Sequence, residues 1–281
     1  GEIGIDIRSK KVIEKKIKGF YSKTFILPWL SYKTKFLRII SEFYQVLLIV
    51  KYTIKFKPDI LYFDNSNIVS AALMQFFSNF FAYKIVVRIM GVYPAMHKLH
   101  LKKSIKNLLY LSFYKRKYDL VICTQDGSSV ESWVKKTLHK KTQVKLMLNG
   151  VDLIFERLKN KKILSVKKKI KKLDLKILFV GRLEPHKGCD NFIKAALMAL
   201  KLNINLKFVI IGYGSQEAKL KNIVKKSCFA SNFIFLSNVN HKEILYFYQL
   251  CDIYVSLNAY GNFSNTNLEA MRVGTCMILP N

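Results

Sequence analysis

Three apolar runs between Lys176 and Asn281 constrain the fold more than any other feature: ILFV (177–180), KFVII (207–211) and DIYVSL (252–257). Each is rich in β-branched or aromatic residues and is followed by turn residues and then a stretch with helical spacing. Strand, loop and helix repeated in this order imply parallel strands joined by right-handed crossovers. In such sheets ligands bind beyond the carboxyl ends of the strands, so the chemistry is expected in the loops that follow these runs.

The residues of those loops narrow the ligand. In GRLEPHKG, Arg182 and Lys187 lie five residues apart between Gly181 and Gly188, and two cations on a glycine-bounded loop suit a diphosphate. The second run ends in GYGS (212–215). Glu217 stands where a dinucleotide fingerprint needs its last glycine, but small residues such as Gly212 still let backbone approach a donor. The third loop leads through Asn262, Ser264, Asn265 and Thr266 into a helix expected over 268–273, whose N-terminus favours an anion. Glu269 is suited to accept hydroxyl protons, as a carboxylate does from a ribose in dinucleotide sites.

Together GRLEPHKG, GYGS and FSNTNLEAMRVG, with NGVD (149–152) upstream, resemble the carboxyl-terminal domain of the family 4, or group 1, glycosyltransferases. The resemblance covers most of the chain and is weak before about Pro58. It implies an α/β protein of the GT-B fold, two Rossmann-like parallel-sheet domains facing a cleft. Residues 1–150 would form the acceptor-side domain and 151–281 the nucleotide-sugar domain, each read here as incomplete at its outer end. It also implies transfer with retention of anomeric configuration, with Arg182 and Lys187 as the catalytic diphosphate ligands. Gly181, Gly212, Asn262, Phe263, Ser264, Asn265, Thr266 and Glu269 complete the donor site in this reading, and Glu269 holds the ribose. The base is expected near the loop 237–239. No metal and no cofactor are expected, the nucleotide sugar being a co-substrate.

One departure bears on the chemistry. Eight residues before Glu269, where the family carries an acid that contacts the transferred sugar, this chain has Gly261. Asn262 or Asn265 is the expected substitute as hydroxyl ligand. On the acceptor side the strand 84–90 ends in Met90, where related enzymes often have a histidine. Arg88, Gly91 and Tyr93 are the polar or loop candidates there.

Composition sets the remaining expectations. A hydrophobic content of 51% excludes general disorder. The net charge of +30, from 48 basic and 18 acidic residues, favours anionic partners, although lysine accompanied by abundant Ile, Asn, Phe and Tyr also reflects base composition. Five scattered cysteines without a paired motif fit a reducing compartment. The expected setting is cytoplasmic and peripheral to the inner face of a membrane. The expected partners are a nucleotide-diphosphate sugar, a glycan or lipid-linked acceptor of cell-surface polysaccharide or lipopolysaccharide synthesis, and an anionic lipid surface, with no nucleic acid.

Local expectations are a strand and the start of a helix over 1–18, and an amphipathic helix over 37–56 ending at Pro58. Basic helices are expected over 101–117 and 159–172. His186 and His241 read as surface residues. Two alternatives rest on single features. Gly261 and Met90 motivate a GT-B-fold binding protein without turnover, and charge alone motivates a nucleic-acid binder, for which no recognition module is present.

Overall fold

The computed structural model describes residues 13–17, 20–24, 35–92, 94–101, 104–151, 161–170, 173–202, 205–237, 239–259, 261 and 264–280. The chain divides into two compact units. One comprises Gly1–Met90, Lys102–Ile122 and Thr137–Lys145; the other comprises Gly91–Leu101, Cys123–Lys136 and Leu146–Asn281.

In the first unit β1 (Ile13–Ile17) and β2 (Phe20–Thr24) pair antiparallel, with Ile13 opposite Thr24. Residues 13–17 therefore form a strand where the start of a helix is expected, and the strand expected before them lies outside the described residues. Ile13, Ile17, Phe20, Tyr21 and Thr24 supply the β-branched and aromatic bias of a hairpin, and the lysines between them oppose neither structure. Helix α1 (Lys35–Phe56) ends as expected, with Lys57 at φ 43° immediately before Pro58. In chain order then follow β3 (Ile60–Asp64), α2 (Ile68–Phe81), β4 (Lys84–Ile89), α3 (Pro94–Leu101), α4 (Ile105–Tyr114), β5 (Leu120–Thr124), α5 (Val130–Thr137) and β6 (Gln143–Met147), of which α3 and nearly all of α5 belong to the second unit.

Strands β3 to β6 form a four-stranded sheet in chain order, β3 and β4 being parallel. Alternate residues of β4, Ile85, Val87 and Ile89, are buried, as are Ala71 and Met74 of α2. The basic helix expected over 101–117 is found over Ile105–Tyr114. Ser104 sets its start, because the Ser104 hydroxyl accepts from Asn107 N at 3.2 Å as the N-cap of α4. No helix among the described residues is long and apolar enough to cross a membrane.

The second unit adds α6 (Lys161–Lys169), β7 (Leu175–Val180), α7 (Cys189–Leu202), β8 (Leu206–Ile211), α8 (Glu217–Lys225), β9 (Phe233–Leu236), α9 (His241–Leu250), β10 (Ile253–Val255), α10 (Asn265–Val273) and β11 (Cys276–Ile278). Five parallel strands lie in the order β11-β10-β7-β8-β9. Because both faces are covered, β7 and β8 read as continuous apolar runs, and their side chains divide between two cores. Phe179, Phe208 and Phe233 pack with Phe192, Ile193 and Leu200 of α7 on one face. Leu178, Val209 and Ile234 pack with Leu245, Phe247 and Tyr248 of α9 on the other. Fully burying one side chain of this size contributes about 1.5–3 kcal/mol.

The strand order also positions the site. From β7 the chain builds outward through β8 to β9, then returns to the opposite side of β7 with β10 and β11. The reversal leaves a crevice beyond the carboxyl ends of β7 and β10, at the topological switch point.

Candidate functional site

That crevice is a cleft of about 230 Å³ lined by Phe179, Val180, Gly181, Arg182 and Lys187 from the end of β7, and by Ser256, Asn258, Ser264, Asn265 and Thr266 after β10. The floor is set by close packing of strand ends. Gly181 N donates to Ile211 O at 3.0 Å and Gly212 N to Leu236 O at 3.0 Å. A Cβ at Gly212, whose φ is +148°, would overlap the Gly181 carbonyl oxygen, so only glycine lets the two strand ends meet here.

The cation loop is braced from within. Leu183 N donates to Tyr213 O at 2.9 Å, and the Glu184 carboxylate accepts from Ser215 N at 3.0 Å and Ser215 Oγ at 2.6 Å. These Ser215 bonds hold the Glu184 carboxyl below its ordinary pKa, with Arg182 and His186 adding to the effect. Pro185–Lys187 form one 3₁₀ turn, and Ala259 N donates to His186 O at 3.0 Å, joining this loop to the one after β10. Burial, reinforced by Arg182, lowers the Lys187 ammonium pKa, while Asp126 acts in the opposite direction. His186 is lowered too, mainly by burial and then by Lys187 and Arg182. Two cations held close in a half-desolvated cleft are a site waiting for an anion.

Helix α10 aims its N-terminus at the same place. Ser264 is its N-cap but makes no side-chain cap bond. Its hydroxyl instead lies 3.0 Å from Thr266 Oγ1. The first-turn N–H groups thus present partial positive charge without a capping oxygen from Ser264. Asn265 is held from the side, its Oδ1 accepting from Asn149 Nδ2 at 2.6 Å, and Asn149 Oδ1 accepts from Thr124 Oγ1 at 3.3 Å.

Of the expected donor residues, Gly181, Arg182, Lys187, Ser264, Asn265 and Thr266 come together on the cleft wall, and Gly212 lies beneath it. Asn262, Phe263 and Tyr93 lie outside the described residues. Glu269 is not among the lining residues. It is 5% exposed, and His241 Nε2 lies 2.8 Å from its Oε1. His241 is exposed, as expected of a surface histidine, and is also the carboxylate's partner; no signal links two residues 28 apart in sequence. Tyr254 of β10 packs in the core beside these two helices, and its hydroxyl donates to Asn267 Oδ1 at 2.9 Å.

Of the acceptor-side candidates, Arg88 belongs to the first unit, with Nε 3.4 Å from Met90 Sδ. Gly91 belongs to the second and is buried, its Cα packed on the Asp126 carboxylate. That carboxylate accepts from Ser128 N at 3.1 Å and from the Ser128 hydroxyl. The sequence reading missed Asp126, Ser256 and Asn258 as site residues. The latter two carried a usable signal, being polar residues just past the end of an apolar strand. Among the described residues no group of three His, Cys, Asp or Glu side chains gathers to hold a metal ion.

Comparison with known proteins bears on the family. Residues 160–281 match the model of the glycosyl transferases group 1. A curated relative, an uncharacterized glycosyltransferase of Methanocaldococcus jannaschii, is 23% identical over 246 residues, covering 86% of this chain and 59% of the relative. The chain spans between 26% and 59% of the length of the curated relatives it matches. Among solved structures, sucrose-phosphate synthase from Thermosynechococcus elongatus superposes with a TM-score of 0.75 at 15% identity, over 98% of this chain and 68% of its own. The Anabaena protein HepE, in complex with UDP-glucose, gives a TM-score of 0.64 at 17% identity, over 83% of this chain and 62% of its own. The likeness to both is one of fold, the GT-B fold.

Proposed function

Through residues 160–281 the chain belongs to the group 1 glycosyltransferases, and on that premise we propose that it moves a sugar from a nucleoside-diphosphate sugar to a hydroxyl, with retention. The observation that carries the reading is the convergence of Arg182, Lys187 and the N-terminus of α10 on one cleft. As the bond between the anomeric carbon and the β-phosphate oxygen lengthens, negative charge grows on the diphosphate. The two cations and the helix N-terminus stabilise it, and such preorganised electrostatics are usually the largest catalytic contribution. The acceptor oxygen attacks on the face from which the diphosphate leaves, and the acceptor proton passes to the departing phosphate oxygen. No enzyme nucleophile and no metal take part, because the fixed cations supply the neutralising charge. Glu269, oriented by His241, grips the ribose. The acceptor is a glycan or lipid-linked hydroxyl in cell-surface polysaccharide synthesis. The net charge of +30 supports a setting at an anionic membrane surface, at about 1 kcal/mol per basic residue near the lipid.

The test is turnover of UDP-, GDP- and ADP-sugars in the presence of a chelator, with Arg182→Ala, Lys187→Ala and Glu269→Ala alongside. Consumption of one donor, insensitive to the chelator and lost in all three variants, is the expected result. Donor binding without consumption by any acceptor favours the second reading, a binding protein, for which Gly261 in place of an acid is the specific motive.

A further inference from the structure

Asn258 follows β10 on the cleft wall and is 8% exposed. Its Nδ2 donates to the Gly261 carbonyl oxygen at 3.0 Å. This bond fixes the amide orientation, since the opposite rotamer would set two oxygens against each other. The other end of the amide, Oδ1, is then buried without a hydrogen-bond partner among the described residues. Buried acceptors are ordinarily paired, and an unpaired one on the wall of a site points to a donor that arrives with the ligand.

The backbone explains why the acceptor stands at 258 and not at 261. Gly261 has φ +114°, and a Cβ built on it would overlap the carbonyl oxygen of Asp126 and come within 3.0 Å of Gly127 C. An acid at 261 is therefore excluded twice, by the conformation and by the neighbouring loop. The hydrogen bond from Asn258 to the Gly261 carbonyl ties the two features together, for the glycine that displaces the acid also orients its replacement.

We infer that Asn258 Oδ1 accepts a hydrogen bond from a hydroxyl of the sugar carried on the diphosphate, and that this neutral acceptor takes over the role of the missing acid. The inference rests on the transferase reading above. It gives a substrate class: a sugar with a free hydroxyl facing residue 258. A uronic acid whose carboxylate faced that residue would set like charge density against Oδ1 and be rejected.

The experiment is a calorimetric titration of the full chain with UDP, GDP and ADP, and with UDP-glucose, UDP-galactose, GDP-mannose and ADP-glucose. It is repeated for Asn258→Ala and for Asn258→Ser, each checked by thermal melting. In the wild type the sugar is expected to tighten binding over the bare diphosphate. In either variant that gain should shrink about tenfold while affinity for the diphosphate stays put, as expected for one lost hydrogen bond. Single-deoxy forms of the tightest donor locate the hydroxyl, because one deletion should match the variant's loss in wild type and cost nothing further in the variant. An unchanged ratio in both variants overturns the inference, as does a sugar that adds no affinity to the wild type; both leave diphosphate binding intact. Failure of every diphosphate to bind the wild type would bring down the transferase reading itself, and this inference with it.

Discussion

The loop after β7 and the loop after β10 line one cleft but are built on opposite principles. The first carries fixed charge. Its cations, Arg182 and Lys187, stand on a loop braced by Glu184 on Ser215, and burial and a neighbouring guanidinium lower the Lys187 pKa. The second carries no charge in the cleft lining and works through shape: Ser256, Asn258, Thr266, a helix N-terminus, and a glycine pressed against the backbone of Asp126. The contrast separates two tasks. Charge that needs no particular ligand shape sets affinity for a diphosphate, whereas neutral groups in a confined geometry choose what the diphosphate carries.

Burial and the Arg182 guanidinium act against the charge on Lys187, and this gives the largest expected effect. Replacing Lys187 by Met should weaken nucleoside-diphosphate binding by about a hundredfold, in the range of a lost charge-assisted contact in a desolvated site. The same change should raise the melting temperature of the unliganded protein. The sign follows from linkage: a lysine whose folded pKa is depressed leaves the folded state holding fewer protons than the unfolded one, so its charge opposes folding below that pKa. Stability of the unliganded wild type should accordingly rise with pH through the depressed pKa, and binding should weaken there, since the protonated form holds the anion. Lys187→Met should flatten both dependences. A variant that melted lower than wild type would mean that the ammonium is structural, and the separation of tasks would fail on its first side.

The shaped loop gives a smaller effect. Gly261→Glu restores the family's acid in sequence, but its Cβ meets the Asp126 carbonyl at a positive φ. A cost of about 1–3 kcal/mol in urea unfolding is expected, from the strained backbone and overpacking. Diphosphate affinity should fall less than it does for Lys187→Met. An unchanged unfolding midpoint together with enhanced turnover would show that the loop readily makes room for an acid, and would remove the reason for a neutral acceptor at 258.

The two loops also differed in how far the sequence disclosed them. Arg182 and Lys187 could be read because the signal is local: two cations, five residues apart, on a loop bounded by glycines after an apolar run. The strands and most helices were legible for the same reason, since burial imposes its period on neighbouring residues. The start of α4 after Ser104 was hidden because a capping serine leaves the basic, amphipathic pattern around it uninterrupted. What the shaped loop does depends on contacts across long separations. Asp126 against Gly261, Asn149 on Asn265 and His241 on Glu269 leave no period in one sequence. Gly261 was visible as a departure from a family pattern, but the reason for it, the Asp126 backbone, lies 135 residues away in the chain.

The measurement that bears most directly on the central claim is a calorimetric titration of UDP, GDP and ADP into the wild-type protein and into the Arg182→Ala, Lys187→Ala double variant, at low and high salt. Binding of at least one diphosphate to the wild type, weakened by salt and abolished in the double variant, is the expected result. Equal binding by both proteins, or by neither, would contradict the assignment of the β7 loop as the diphosphate site.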